Sequence, residues 1–241
     1  LWAGDAARAV IAESSLWPAL AALAASHLFS FLFNYLGSGE YRAANPALAH
    51  ILSVRGGVRT AANDLGARLA AVSEQPAEDW PQNRFARQLA VTARLIAAQT
   101  PVAAYKLRHA GFDTHAGQLG AQRQLLTQLG EALAKFRDTL VKQGLWDKVL
   151  VMTYAEFGRR VGENGSNGTD HGTAAPHFIL GGKVKGGFYG EQPPLNDLED
   201  GDLKYRLDFR RLYATVAEQW WGIARTPRVL HSAKPLDFLR V

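Results

Sequence analysis

An α/β fold with a mainly parallel sheet, preceded by a helical region, is what this sequence predicts, and three observations carry the prediction. The first hundred residues are rich in Ala and Leu at helical spacing. Residues 102–107, 118–143 and 148–154 then read as β-prone, helical and β-prone, the order of a parallel βαβ unit. Carboxylates and imidazoles gather just after the two β-prone runs, where open α/β sheets bind ligands.

Taken in order, the helical region is punctuated at residues 37–39, at Asn45-Pro46, at Gly56-Gly57 and at residues 74–81. Residues 16–36 carry no charged side chain, a length that would cross a bilayer. Ser26, His27, Ser30 and Asn34, the alanine-rich first half and Pro18 fit a helix packed inside protein instead, so no stable membrane insertion is expected. A helix begins near Asn83, places Phe85, Leu89, Thr92 and Leu95 or Ile96 on one side, and stops before Pro101. The run at 102–107 delivers Gly111-Phe112-Asp113-Thr114-His115 to a sheet end. Leu119, Leu126, Leu129, Leu133, Phe136 and Leu140 then line a crossover helix on one face of the sheet, ended by Gly144. After the second strand comes a Gly- and Asn-rich loop at 156–172. Residues 177–180 return to β character, and Asp208 caps a last helix with Phe209, Leu212, Val216 and Trp220 inward. The whole chain, 1–241, reads as one domain or a fragment of one: a helical region at 1–82 and a ligand-bearing α/β part at 83–241.

With 241 residues, 47% hydrophobic and 20% charged, the chain can bury a substantial core, which argues against disorder. Lys and Arg total 27 against 22 Asp and Glu, and the net charge of +5 suits an anionic partner. No basic stripe with interleaved aromatics is present, so nucleic acid is not the expected partner. The absence of cysteine removes disulfides, thiolate ligands and thiol nucleophiles together, so any metal must be held by nitrogen and oxygen.

Asp113 and His115, two apart, project to the same side of an extended segment, where a carboxylate and an imidazole can share a cation. Alternatively, the Asp caps the next helix and the His satisfies backbone groups. Glu156 and the pair Asp170-His171 add ligand types from two further segments. Arg159 and Arg160 either bring positive charge for a phosphoryl or sulfuryl group or bridge nearby carboxylates. The loop at 162–168 lacks the lysine of a phosphate loop. His109 and His177 are candidates for supporting a ligand, whereas His27, His50 and His231 read as structural.

Five stretches resemble one bacterial family: GFDTH at 111–115, AEFGRR at 155–160, the N-x-x-N-G-T-D-H-G run ending at Gly172, GGKVKGGFYG at 181–190 and DFRRLYATVAEQWWG at 208–222. That family is domain of unknown function 1501, grouped with alkaline phosphatases and sulfatases. The resemblance covers about residues 83–222 and implies a three-layer α/β/α sandwich, a site with one or two divalent metals, zinc first among them, and a periplasmic or secreted location. It also implies a metal-dependent hydrolase acting on a small anionic ester, phosphate or sulfate, or on an anionic glycan. A non-catalytic metal- or anion-binding protein is the alternative. Asp113, His115 and His171 resemble ligands of one metal and Glu156 a ligand of a second, with Asp170 beside them. Phe157 stands where the superfamily has a coordinating histidine, which implies a weakened second site or a single ion. Ala155 replaces a more usual serine, and the nucleophilic Ser or Thr that the resemblance implies has no counterpart in this sequence.

Overall fold

The computed structural model describes residues 46–72, 79–223, 230 and 232–240. The chain divides into two units, Leu1–Ala70 and Ala71–Val241. The apolar run at 16–36, with His27, lies outside the described residues, as does His231. Among the described residues no helix is long and apolar enough to cross a membrane.

In the first unit, α1 (Pro46–Ala70) starts on a proline, whose missing N–H costs nothing in a first turn. It continues through Gly56 and Gly57, where the sequence predicts a break. A glycine weakens a helix interior by roughly 1 kcal/mol against alanine, which lowers stability without ending the helix.

The second unit is built on α2 (Arg84–Ala97) and α3 (Gln118–Lys142). Asn83 caps α2 as its position predicts, its Oδ1 accepting the Ala86 N–H at 2.8 Å. Phe85, Ala86, Leu89 and Ala93 of α2 bury against Ala132, Phe136 and Leu140 of α3, with Trp80 closing the cluster. Gly144, at φ +68°, follows the end of α3. Only the second half of the leucine stripe reaches this core. Leu119 and Leu126 are exposed.

Among the described residues six short strands follow these helices: β1 (Leu150–Met152), β2 (Gly158–Glu163), β3 (Thr169–Gly172), β4 (Ile179–Gly181), β5 (Leu198–Glu199) and β6 (Asp202–Leu203). They pair as β1 with β4, β2 with β3 and β5 with β6, each pair antiparallel and each sheet two-stranded. The three-layer α/β/α sandwich with a mainly parallel sheet is therefore overturned for the described residues, and α3 is not a crossover between parallel strands. Two physical reasons account for the error. Residues 102–107 form no strand, and the backbone just beyond them is satisfied by a side chain: the Gln88 amide donates to the Arg108 carbonyl at 2.9 Å and accepts its N–H at 3.1 Å. The segment thus docks on α2 as though Gln88 were a strand neighbour. The apolar run around β1 forms the expected strand, and the structure covers it on two sides. Val149 and Val151 pack on the α2–α3 core, while Leu150 and Met152 pack on a second cluster of Leu212, Leu236, Phe238 and Leu239. Such a run reports cover on both faces and says nothing about the direction of the neighbouring strand.

The loop foreseen at 156–172 is the β2–β3 hairpin. The last helix, α4 (Arg210–Thr215), starts where Asp208 Oδ1 accepts the Arg210 N–H at 2.9 Å, and a wider turn, Val216–Trp220, continues it. Leu212 and Val216 face inward as expected, whereas Phe209 is exposed.

Candidate metal centre

Asp113 and His115 lie on the irregular segment that leads into α3. Thr114 between them turns inward, its Oγ1 accepting a hydrogen bond from Gln122 of α3 at 3.0 Å. Its neighbours on either side are thereby exposed together. His171 comes from β3. The hairpin tip is seated against this segment by Asn164, whose Oδ1 accepts the Ser166 and Gly168 N–H groups at 2.9 and 3.1 Å while its Nδ2 donates to the His115 carbonyl at 3.0 Å. The Gly117 and Gln118 N–H groups donate to the Ser166 and Asn167 carbonyls at 3.0 and 2.9 Å. Residue 168 must be glycine in this arrangement, because a Cβ there would sit 2.3 Å from the His115 carbonyl oxygen.

These contacts bring three donor atoms together. His171 Nε2 lies 2.7 Å from Asp113 Oδ1, His115 Nε2 lies 3.0 Å from the same oxygen, and the two nitrogens are 3.2 Å apart. Asp113, His115 and His171 form a potential metal-binding triad, all three residues exposed. With the carboxylate ionised, no placement of protons satisfies all three contacts of the triangle without sharing one. If each Nε2 carries hydrogen, both donate to Asp113 but face one another as two donors. If one is bare, its lone pair faces the carboxylate. The hydrogen bond from His171, with the charges of His171, His115 and Arg159 added, holds the Asp113 carboxyl below its usual range against an opposing desolvation, so the oxygen stays an acceptor. A cation among three lone pairs meets all three contacts at once. Tetrahedral zinc at its usual bond lengths spaces its ligand atoms about 3.3 Å apart, a few tenths of an ångström wider than this triangle.

The surroundings fit that use. His115 Nδ1 faces Asp170 Oδ1 at 3.5 Å, the position from which an outer carboxylate orients a ligand imidazole. Asn164 Nδ2 approaches the same Asp170 oxygen at 3.4 Å. Phe157 stacks flat on His171, ring centroids 3.7 Å apart and planes within 7°.

Of the residues singled out in the sequence, Asp113, His115 and His171 converge, and Asp170 borders them through His115. Glu156 is exposed and stands outside the triad. Arg159 is the register partner of His171 across the hairpin. Its guanidinium donates to the Phe112 carbonyl at 2.6 Å and to the Thr169 carbonyl at 2.5 Å, and reaches within 3.8 Å of Asp113. Arg160, next along β2, points the other way to Asp202 at 3.7 Å. His109 bonds the Leu125 carbonyl at 3.0 Å and stacks on Phe85, tying the segment to the helices. His177 is half-buried before β4, and burial pushes its pKa down. Sequence reasoning missed Asn164, Gln122 and the stacking role of Phe157. The N-x-x-N-G spacing was a signal for the first, since an Asx-type turn closing on a glycine is legible from residue types.

Residues 37–233 match the model of a family described as Protein of unknown function (DUF1501). No curated protein and no solved structure matches the chain.

Proposed function

The chain belongs to the DUF1501 family, and from that premise and the geometry of the triad we propose that it binds a single zinc ion on Asp113, His115 and His171 and acts on a phosphate or sulfate ester. The observation that carries this reading is the proton-frustrated triangle of one carboxylate oxygen and two imidazole nitrogens spanning 2.7 to 3.2 Å. When bound, the ion supplies Lewis-acid polarisation of a phosphoryl or sulfuryl oxygen. The residues of the chain do the rest of the work assigned here. Asp113 contributes the negative charge that holds the cation, and Asp170 faces His115 Nδ1 at 3.5 Å, on the side away from the coordinating Nε2, where it would orient the ring. Phe157 covers one face of the His171 ring and cannot coordinate. With Glu156 outside the triad, this favours one ion over two.

The exposure of the triad leaves open coordination positions that an anion in solution can reach. Elemental analysis of the purified full chain after zinc dialysis should return one zinc per chain. The loaded protein should hydrolyse phosphate or sulfate monoesters in a manner abolished by chelator and restored by zinc. Failure to retain any divalent metal sinks the reading. A second reading, metal and anion binding without turnover, is favoured by the single-ion arrangement around Phe157. It predicts stoichiometric zinc and phosphate binding with no ester cleavage.

A further inference from the structure

We infer that Arg159 is a positioning residue that builds the metal centre and does not clamp the anion; the inference rests on the single-zinc reading above. Its two terminal nitrogens are committed to the backbone. One donates to the carbonyl of Phe112, the residue before Asp113, and the other to the carbonyl of Thr169, two residues before His171. The guanidinium therefore spans the two segments that carry the ligands. It also lies over the Phe157 ring, 5.1 Å from the centroid, on the same ring that stacks on His171. The side chain is only 19% exposed, which leaves little of it to meet a ligand arriving from solvent.

Apart from the contacts of the triad and Asp170 themselves, further ties between the hairpin and the start of α3 run through Asn164, Gly117 and Gln118. None of them uses the Arg159 guanidinium, and those through Asn164 and Gly117 lie at the His115 end. Losing the guanidinium should thus free the Asp113 end from His171 while leaving the hairpin seated. Lysine is a poor substitute, because one tetrahedral ammonium cannot bridge two carbonyls while lying flat over an aromatic ring.

The test compares the full wild-type chain with R159A, R159K and F157L. Three readouts are taken: zinc affinity by chelator competition, the visible spectrum of the cobalt-substituted protein, and inorganic phosphate affinity at saturating zinc. In R159A zinc affinity should fall about 10- to 100-fold, the range typical of lost outer-shell partners. The cobalt bands should change shape, R159K should recover little of the loss, and phosphate affinity at saturating zinc should stay within about threefold of wild type. F157L, which keeps apolar volume but removes the flat ring, should alter the cobalt spectrum in the same sense; with R159K it decides the matter if R159A does not fold. Unchanged zinc affinity and spectrum in a folded R159A with weakened phosphate binding would make Arg159 the anion clamp and overturn the inference. A wild-type chain that takes up neither zinc nor cobalt would remove the single-zinc reading and the inference with it.

Discussion

The α2–α3 pair and the β2–β3 hairpin belong to the same unit, yet different forces hold them. Between the helices, Phe85, Leu89, Phe136 and Leu140 are removed from water, and burial of apolar area does the stabilising. Around the hairpin almost nothing apolar is buried. Its shape comes from Asn164, Arg159 and a glycine that lets backbones touch. Directional polar contacts fix positions to tenths of an ångström but add little net stability. Stability and site geometry should therefore be separable by mutation.

The strongest way to break that separation is to damage the core and look at the metal. Leu140, fully buried, should cost about 2–5 kcal/mol when cut to alanine, counting the cavity left behind. Denaturant unfolding measures this, and zinc affinity of the folded variant should be unchanged. A parallel loss of affinity would show that the two regions are one cooperative device. The reciprocal change is His171→Ala. It should weaken zinc binding at least about 100-fold, or roughly 2.8 kcal/mol, while the metal-free protein keeps its melting temperature, because the side chain is exposed.

A smaller effect sharpens the boundary between the regions. Gln88 on α2 holds Arg108, upstream of Asp113, by two hydrogen bonds. Gln88→Ala should lower unfolding stability by about 1–2 kcal/mol and raise hydrogen exchange at the Arg108 amide above that of the α2 core. Equal exchange at both would mean that the segment and the helix open together. The smallest effect concerns pH. Burial lowers the His177 pKa in the folded chain, so as pH falls the unfolded chain takes up its proton first, near the usual histidine value of about 6.5. Stability from this residue is present above that value and is lost as pH falls toward the depressed folded pKa. His177→Gln should flatten that part of the stability profile. An unaltered profile would place the acid sensitivity elsewhere.

Helices were the most legible part of the fold. Asn83 as a cap, the stop before Pro101 and the inward residues of α2 could be read from spacing, because a helix satisfies its own backbone and needs a partner only for one stripe. The strands were half legible. The run at 148–154 announced a strand, but its pairing partner and direction are set by distant residues, here Ile179–Gly181. At the site, the D-x-H and D-H spacings pointed to the residues that form the candidate triad. Glu156 looked equivalent by proximity to β1 and stands apart from the triad, since being near a strand end fixes neither the facing of a side chain nor its reach.

By itself, then, the sequence determined the helices around 84–97 and 118–142, the chemical kind of the candidate ligands and, by lacking cysteine, the restriction of any metal to nitrogen and oxygen donors. Those are properties of residue types and short-range spacing. Tertiary structure alone decided that the sheets are antiparallel pairs, that Gln88 stands in for a strand neighbour, and that Asp113, His115 and His171 meet within 3.2 Å. It also turned Arg159 inward onto two carbonyls and Arg160 away to Asp202. The reason is that a backbone group or a charged side chain is satisfied by whichever partner the fold brings within hydrogen-bond reach, and that choice is made across tens of residues rather than between neighbours.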